Sequence, residues 1–235
     1  MTMKNDNPYV FVVGCPRSGT TLLQRMLDHH PQLAVANDTH FIPRALQRAA
    51  PHLEPGAAAG TSVPLDPVLV EALVTYRRFH RLGLDEEEAR RLASSSRDYA
   101  DWIGRLYGCF AERAVKPFAG EKTPDYVRHL PLLHGLFPRA RSLHIIRDGR
   151  DVALSTLQWA GPGKGPGRWD LWGTDPVGAC ALWWRHQVET GRRDARSFPP
   201  RLYREVRYGR LVAEPEGELR RIASFLQLDY DDAMA

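Results

Sequence analysis

The stretch Tyr9-Val-Phe-Val-Val-Gly-Cys-Pro-Arg-Ser-Gly-Thr-Thr-Leu-Leu-Gln-Arg-Met-Leu-Asp28 changes character twice. Tyr9–Val13 is a continuous β-branched and aromatic run, the pattern of a strand covered on both faces. The segment Gly14–Gly19 breaks it. From Thr20 onward Leu22, Leu23, Met26 and Leu27 fall on one side of a helix. Pro31 ends that helix, because the residue before a proline is pushed out of the α region. Strand, glycine-bounded loop and helix together have the frame of a phosphate-binding loop, GxxxxG followed by two further positions. Such a loop aims successive backbone N–H groups at one anion, and the helix N-terminus adds its partial positive charge. A nucleotide triphosphatase carries Lys directly after the second glycine; here Thr20 stands there, and a cation comes earlier as Arg17. Pro16, Arg17, Ser18, Gly19, Thr20 and Thr21 are therefore expected to bind an anion without the usual γ-phosphate lysine.

Outward from this unit, strand patterns recur at 33–36, 117–120, 141–147 and 201–207. Helical patterns occupy 151–159, 176–196 and 216–226, with Trp183 and Trp184 expected in the core. The span 41–115 reads as a helical insertion after the first strand–helix unit, interrupted by an Ala-, Gly- and Pro-rich stretch at 51–67. Strands alternating with helices predict an α/β fold, a central parallel sheet flanked by helices, in a single domain over 1–235. Gly161-Pro-Gly-Lys-Gly-Pro-Gly167 cannot form a regular element, so 160–174 is expected to be a flexible loop and a candidate gate beside the acceptor.

Composition narrows the function. The 235 residues are 43% hydrophobic and 26% charged, ordinary globular usage. Thirty-two Lys and Arg against 28 Asp and Glu leave +4, which suits a small polyanion and is too weak and dispersed to argue for nucleic acid. No apolar run approaches the ~20 residues of a membrane span, and no signal-peptide core precedes the first motif. Three cysteines without a CxxC pair argue against a zinc site or disulfide framework, and a cytoplasmic location is expected.

Cys15-Pro-Arg-Ser-Gly-Thr-Thr21 resembles the 5′-phosphosulfate loop of sulfotransferases that use 3′-phosphoadenosine 5′-phosphosulfate (PAPS). Ile146-Arg-Asp-Gly-Arg-Asp-Val-Ala-Leu-Ser155 is similar to that family's 3′-phosphate motif, in which an Arg and a Ser eight residues later grip the ribose phosphate; Arg147 and Ser155 have this spacing. Gly120-Glu-Lys-Thr-Pro124 resembles the segment carrying a lysine near the sulfuryl group, here Lys122. Val206-Arg-Tyr-Gly-Arg-Leu-Val-Ala-Glu-Pro215 resembles a strand-and-turn consensus that places Tyr208 at the nucleotide. The pattern is closest to the branch acting on protein tyrosines. There the base is a carboxylate in a segment similar to Asn37-Asp-Thr-His-Phe-Ile-Pro-Arg44, which implies Asp38 as base with His40 as the fallback. The histidine that serves as base in the cytosolic branch is replaced by Pro124.

The resemblance implies sulfuryl transfer from PAPS to a hydroxyl or amine of a small-molecule or peptide acceptor, releasing 3′-phosphoadenosine 5′-phosphate (PAP). Arg17 and Lys122 would supply the positive charge, with no metal required. It also implies a C-terminal segment shorter than the family's, since relatives continue where this chain ends. A P-loop small-molecule kinase or NTPase, and a non-catalytic PAP-binding module, are the alternatives.

Overall fold

The computed structural model describes residues 7–49, 62–159 and 170–235. Strands β1 (Val10–Gly14), β2 (Leu33–Asn37), β3 (Phe118–Lys122), β4 (Arg141–Ile146) and β5 (Tyr203–Arg207) form one sheet in the order β2-β3-β1-β4-β5. Every pairing is parallel. Helix α1 (Thr20–Asp28) connects β1 to β2, as its periodicity predicts. Between β2 and β3 lie α2 (Phe41–Ala49), α3 (Pro67–Val74), α4 (Glu86–Ser94) and α5 (Tyr99–Arg113). Helix α6 (Leu130–Leu136) leads to β4, α7 (Gly149–Trp159) and α8 (Pro176–Ala195) lead to β5, and α9 (Tyr208–Ala213) and α10 (Pro215–Leu226) follow.

Successive strand residues face opposite sides of a sheet, and β1 uses both. Val10 and Val12 join Leu23 and Leu27 of α1 and Ile222 of α10 in one core. Phe11 and Val13 join Phe41, Trp102 and Leu133 in the other. The central strand is therefore dry on both faces, which is why it reads as an unbroken apolar run.

The structure departs from the sequence reading in several places. Leu22 is at the surface, so the apolar face of α1 is narrower than its four apolar residues suggest. Trp183 and Trp184 are only half-buried, and Trp184 spends its indole N–H on the Arg147 carbonyl, 3.0 Å away. The short α6 lacks enough turns to show a periodicity. The strand-and-turn resemblance at 206–215 corresponds to the end of β5 followed by a helix that Tyr208 opens. Asp170–Gly173 forms a 3-10 turn; residues 160–169 of the expected loop, and most of the interruption at 51–67, lie outside the described residues. No helix among the described residues is long and apolar enough to cross a membrane.

Three buried histidines give the fold an acid-sensitive core. Burial pushes His129, His134 and His144 down to about 4 from the ordinary 6.5. Each keeps one ring nitrogen buried without a hydrogen-bond partner. The unfolded chain therefore binds more protons than the native one between about pH 6.5 and 4, and stability falls as pH drops through that window. At 1.36 kcal/mol per unit the loss is a few kcal/mol per ring. Urea midpoints should decline steadily from pH 7 to pH 5; a flat profile would mean that the rings fold protonated.

Candidate active site

Parallel strands end on one edge of the sheet, so strand order turns distant stretches of sequence into a row. Asp38 and His40 follow β2, Lys122 ends β3, the Gly14–Gly19 loop follows β1, Arg147 follows β4, and Tyr208 follows β5. Strands lie 4.7–4.9 Å apart, which makes the row roughly 20 Å long. The chain leaves β1 toward β2 and leaves β4 toward β5, so a crevice opens between the ends of β1 and β4, the usual ligand position in an open α/β sheet.

The β1–β4 half of the row is built to receive negative charge. Asp66, Asp85, Asp98 and Asp175 each cap a helix by accepting a backbone N–H. Helix α1 has neither a side-chain cap nor an acidic residue in its first turn, which leaves its N–H groups aimed at the crevice. Ser18 is fully buried and its hydroxyl lacks a hydrogen-bond partner. Gly19 adopts φ 93°, and a Cβ there would sit 2.3 Å from the Tyr208 ring. The Arg147 guanidinium lies over the same ring, 4.7 Å from its centroid. Arg17, at φ 74°, donates from Nε to Ser155 Oγ on α7 at 3.0 Å. Arg17, Ser155, Gly19, Tyr208 and Arg147 thus line one continuous wall. Pro16 is half-buried, Thr20 is buried and Thr21 is exposed at the start of α1.

Two details differ from the motif reading. Ser155 meets Arg17 rather than Arg147, whose Nε turns instead to Asp151 at 3.3 Å. Arg150 is exposed and closes on Asp148 at 2.7 Å, away from the wall.

The β2–β3 half carries a carboxylate in a cationic cage. Asp38 Oδ1 lies 3.0 Å from His40 Nε2 and 4.0 Å from Lys122 Nζ. Its Oδ2 accepts from Arg78 Nη1 at 2.7 Å, with Arg81 Nη1 at 3.5 Å. Burial alone would raise the Asp38 pKa. The His40 hydrogen bond and the charges of Lys122, His40 and Arg78 outweigh it and hold the carboxyl well below the usual range. Lys122 is buried, and apart from Asp38 it has no ion partner among the described residues.

Asp38 and His40 both adopt left-handed backbone, φ 65° and 63°, conformations that cost side-chain-bearing residues about 1–3 kcal/mol each. The anchor is Glu121, fully buried on β3. Its carboxylate accepts from the Thr39 N–H at 3.1 Å, the Thr39 hydroxyl at 2.9 Å, the Tyr107 hydroxyl at 2.8 Å and the Thr123 hydroxyl.

Arg78, Arg81 and Glu121 escaped the sequence reading as members of this site. The run Arg77-Arg78-Phe79-His80-Arg81 was the available signal, a basic cluster inside the insertion. As a whole, the edge carries two separately placed arginines, Arg17 and Arg147, beside a buried ammonium and a carboxylate–imidazole pair.

Comparison with known proteins agrees with this geometry. The Sulfotransferase family model matches residues 8–232. Protein-tyrosine sulfotransferase A of Caenorhabditis elegans is 28% identical over 96% of this chain and 51% of its own length. Protein-tyrosine sulfotransferase 1 of Homo sapiens is 26% identical over 97% of this chain and 54% of its own. The chain spans about half the length of these curated relatives. Among solved structures, the sulfotransferase domain of the Synechococcus PCC 7002 olefin synthase superposes with a TM-score of 0.61 at 24% identity, covering 100% of this chain and 78% of that one. With a family match across nearly its whole length and the same fold, the chain belongs to the sulfotransferase family.

Proposed function

We propose that the protein transfers the sulfuryl group of PAPS to a hydroxyl acceptor and releases PAP. The observation that carries this reading is the wall joining two separate cationic sites, Arg17 with its loop and Arg147, across one crevice. A doubly anionic adenosine compound matches such a pair. The fit is supported by the partnerless Ser18 hydroxyl, the uncapped α1 terminus and the close Gly19–Tyr208 approach.

In this reading the loop from Pro16 to Thr21 holds the 5′ end, Arg147 and Ser155 hold the 3′-phosphate, and Tyr208 flanks the nucleotide. The donor supplies a sulfuryl group already bonded to a phosphate leaving group. What the protein adds is in-line positioning and positive charge where the bridging oxygen departs. Arg17 and Lys122 provide that charge. The row on the sheet edge puts Lys122 between the donor loop and the Asp38–His40 pair, so the acceptor oxygen comes from the β2 side.

The relatives' names direct the first choice of acceptor to a tyrosine hydroxyl, free or in a peptide. A cytoplasmic setting is part of the proposal, in keeping with three unpaired cysteines.

Calorimetry with PAP and ATP, without added metal, followed by PAPS turnover on phenolic acceptors, tests it. PAP should bind and ATP, lacking the 3′-phosphate, should bind far more weakly. Arg147→Ala should weaken PAP binding roughly 10- to 150-fold, the value of a charge-assisted contact of about 1.5–3 kcal/mol. Equal affinity for ATP and PAP would point to phosphoryl transfer instead.

A further inference from the structure

We infer that His40 Nδ1, not the Asp38 carboxylate, takes the proton from the acceptor, and that Asp38, clamped by Arg78 and Arg81, orients the ring. The inference rests on the transfer reaction proposed above and assigns the base within it.

A base needs a lone pair that faces the acceptor and is not already engaged. Each Asp38 oxygen already accepts a charge-assisted bond, Oδ1 from His40 Nε2 and Oδ2 from Arg78, and the cations that hold its charge make the carboxylate a weak base. The same arginines hold its backbone, since Arg78 Nη1 and Arg81 Nη1 donate to the Asp38 carbonyl at 3.0 and 3.1 Å. Asp38 is thus fixed at side chain and main chain together.

An ionised carboxylate can only accept hydrogen bonds, so His40 Nε2 must carry the ring proton. The neutral imidazole then presents Nδ1 as a bare lone pair, and Nδ1 has no hydrogen-bond partner among the described residues. The ring is held in place: it stands edge-on to Tyr126 at 6.4 Å, and the His40 N–H points to Thr123 Oγ1 at 3.4 Å. Its side chain is 20% exposed, beside 27% for Asp38, so both members of the pair are open to the site.

The charged groups around the ring come from several elements. Asp38 lies on its own segment, Arg78 and Arg81 on the insertion and Lys122 on β3. Asp125 and His129 interact with it electrostatically from the turn after β3, where Arg128 covers Asp125 at 2.5 Å and Arg44 of α2 approaches at 3.9 Å. The arrangement has the logic of a catalytic triad, in which a buried carboxylate fixes the tautomer and stabilises the imidazolium.

In the step itself, the acceptor O–H proton moves to Nδ1 as that oxygen bonds to sulfur. The bond from sulfur to the 5′-phosphate oxygen breaks, and its electron pair leaves with PAP. The imidazolium, balanced by Asp38, later returns its proton to water.

The test uses His40→Gly, which suits the left-handed backbone, together with His40→Gln and Asp38→Asn. PAP affinity, by calorimetry, should stay within threefold for all three. PAPS transfer to a phenolic acceptor should fall at least 100-fold in both His40 variants, with the acid limb of the pH–rate profile lost. Asp38→Asn should slow transfer and keep that limb. Added imidazole should restore part of the rate to His40→Gly and none to Asp38→Asn. Nitrogen-15 spectra of the histidine-labelled wild type should show neutral His40 protonated on Nε2, a readout that needs no turnover. PAP binding with no transfer by the wild type would refute the proposed reaction and leave the pair to be judged by that spectrum. Transfer by His40→Gln within threefold of wild type, or an Nδ1-protonated ring, would overturn the assignment.

Discussion

Lys122→Met is expected to slow sulfuryl transfer about 10²–10³-fold, the usual effect of removing one preorganised charge from a transition state. PAP affinity should hold within a few-fold, because the loops after β1 and β4 keep their own contacts. Lys122 ends β3, the strand between the donor loop and the Asp38–His40 pair, and its side chain is only 5% exposed. Burial pushes the ammonium below the ordinary 10.5, while Asp38 and Glu121 pull it back up. A desolvated cation interacts with developing negative charge far more strongly than a hydrated one. The same shift fixes a sign: Lys122 is charged below its lowered pKa and neutral above it, so turnover should decline on the alkaline side before pH 10.5. Arginine should rescue poorly, since a planar guanidinium would have to fit a buried site already flanked by Arg78 and Arg81. Initial rates across pH for the wild type, Lys122→Met and Lys122→Arg decide the matter. A Met variant within threefold of wild type would reduce Lys122 to a structural partner of Asp38.

The contrast between the two halves of the site shows what a sequence exposes. The loop after β1 was legible because its signal is local, with strand, glycines and helix falling inside twenty residues. Arg147 was located by resemblance, through its spacing from Ser155 and its place between a strand and a helix. The cage around Asp38 was not. Arg78 and Arg81 lie about forty residues from Asp38, one just before and one inside a short 3-10 segment whose sequence has no period to place it. Glu121 went unassigned for a different reason: neighbours along a strand face opposite sides of the sheet, and beside Lys122 in sequence Glu121 turns into the core under the insertion, where Tyr107 meets it. Asp38 shows a related limit: resemblance locates the carboxylate, but its partners His40, Arg78, Arg81 and Lys122 come from three separate segments and become visible only in the fold.

Glu121→Ala carries the other large expected effect, this time on stability. The carboxylate is fully buried, and burial pushes its pKa above 4.5 despite hydrogen bonds from Thr123, Tyr107 and Thr39. Truncation leaves the Thr39 N–H without an acceptor and three hydroxyls in a dry pocket. Hydroxyls can turn to one another, but a backbone N–H cannot, and a stranded buried donor costs about 1–3 kcal/mol. A total near 3 kcal/mol corresponds to a Tm lower by roughly 6–12 °C for a chain of this size. Glu121→Gln should be milder, because its carbonyl oxygen still accepts from Thr39 and its amide can donate to a reoriented hydroxyl. The functional consequence separates the halves of the site. Through Thr39, Glu121 anchors the segment between Asp38 and His40, and the arginine bonds to the Asp38 carbonyl hold its other end. Once Thr39 is released, Asp38 keeps its arginine clamp while the His40 side of the segment is free to move, and the Asp38–His40 alignment should loosen. Below its new Tm the Ala variant should therefore bind PAP as the wild type does and turn over far more slowly. Equal losses of binding and turnover in thermal denaturation, calorimetry and rate measurements would instead show that Glu121 supports the whole sheet edge rather than the loop after β2.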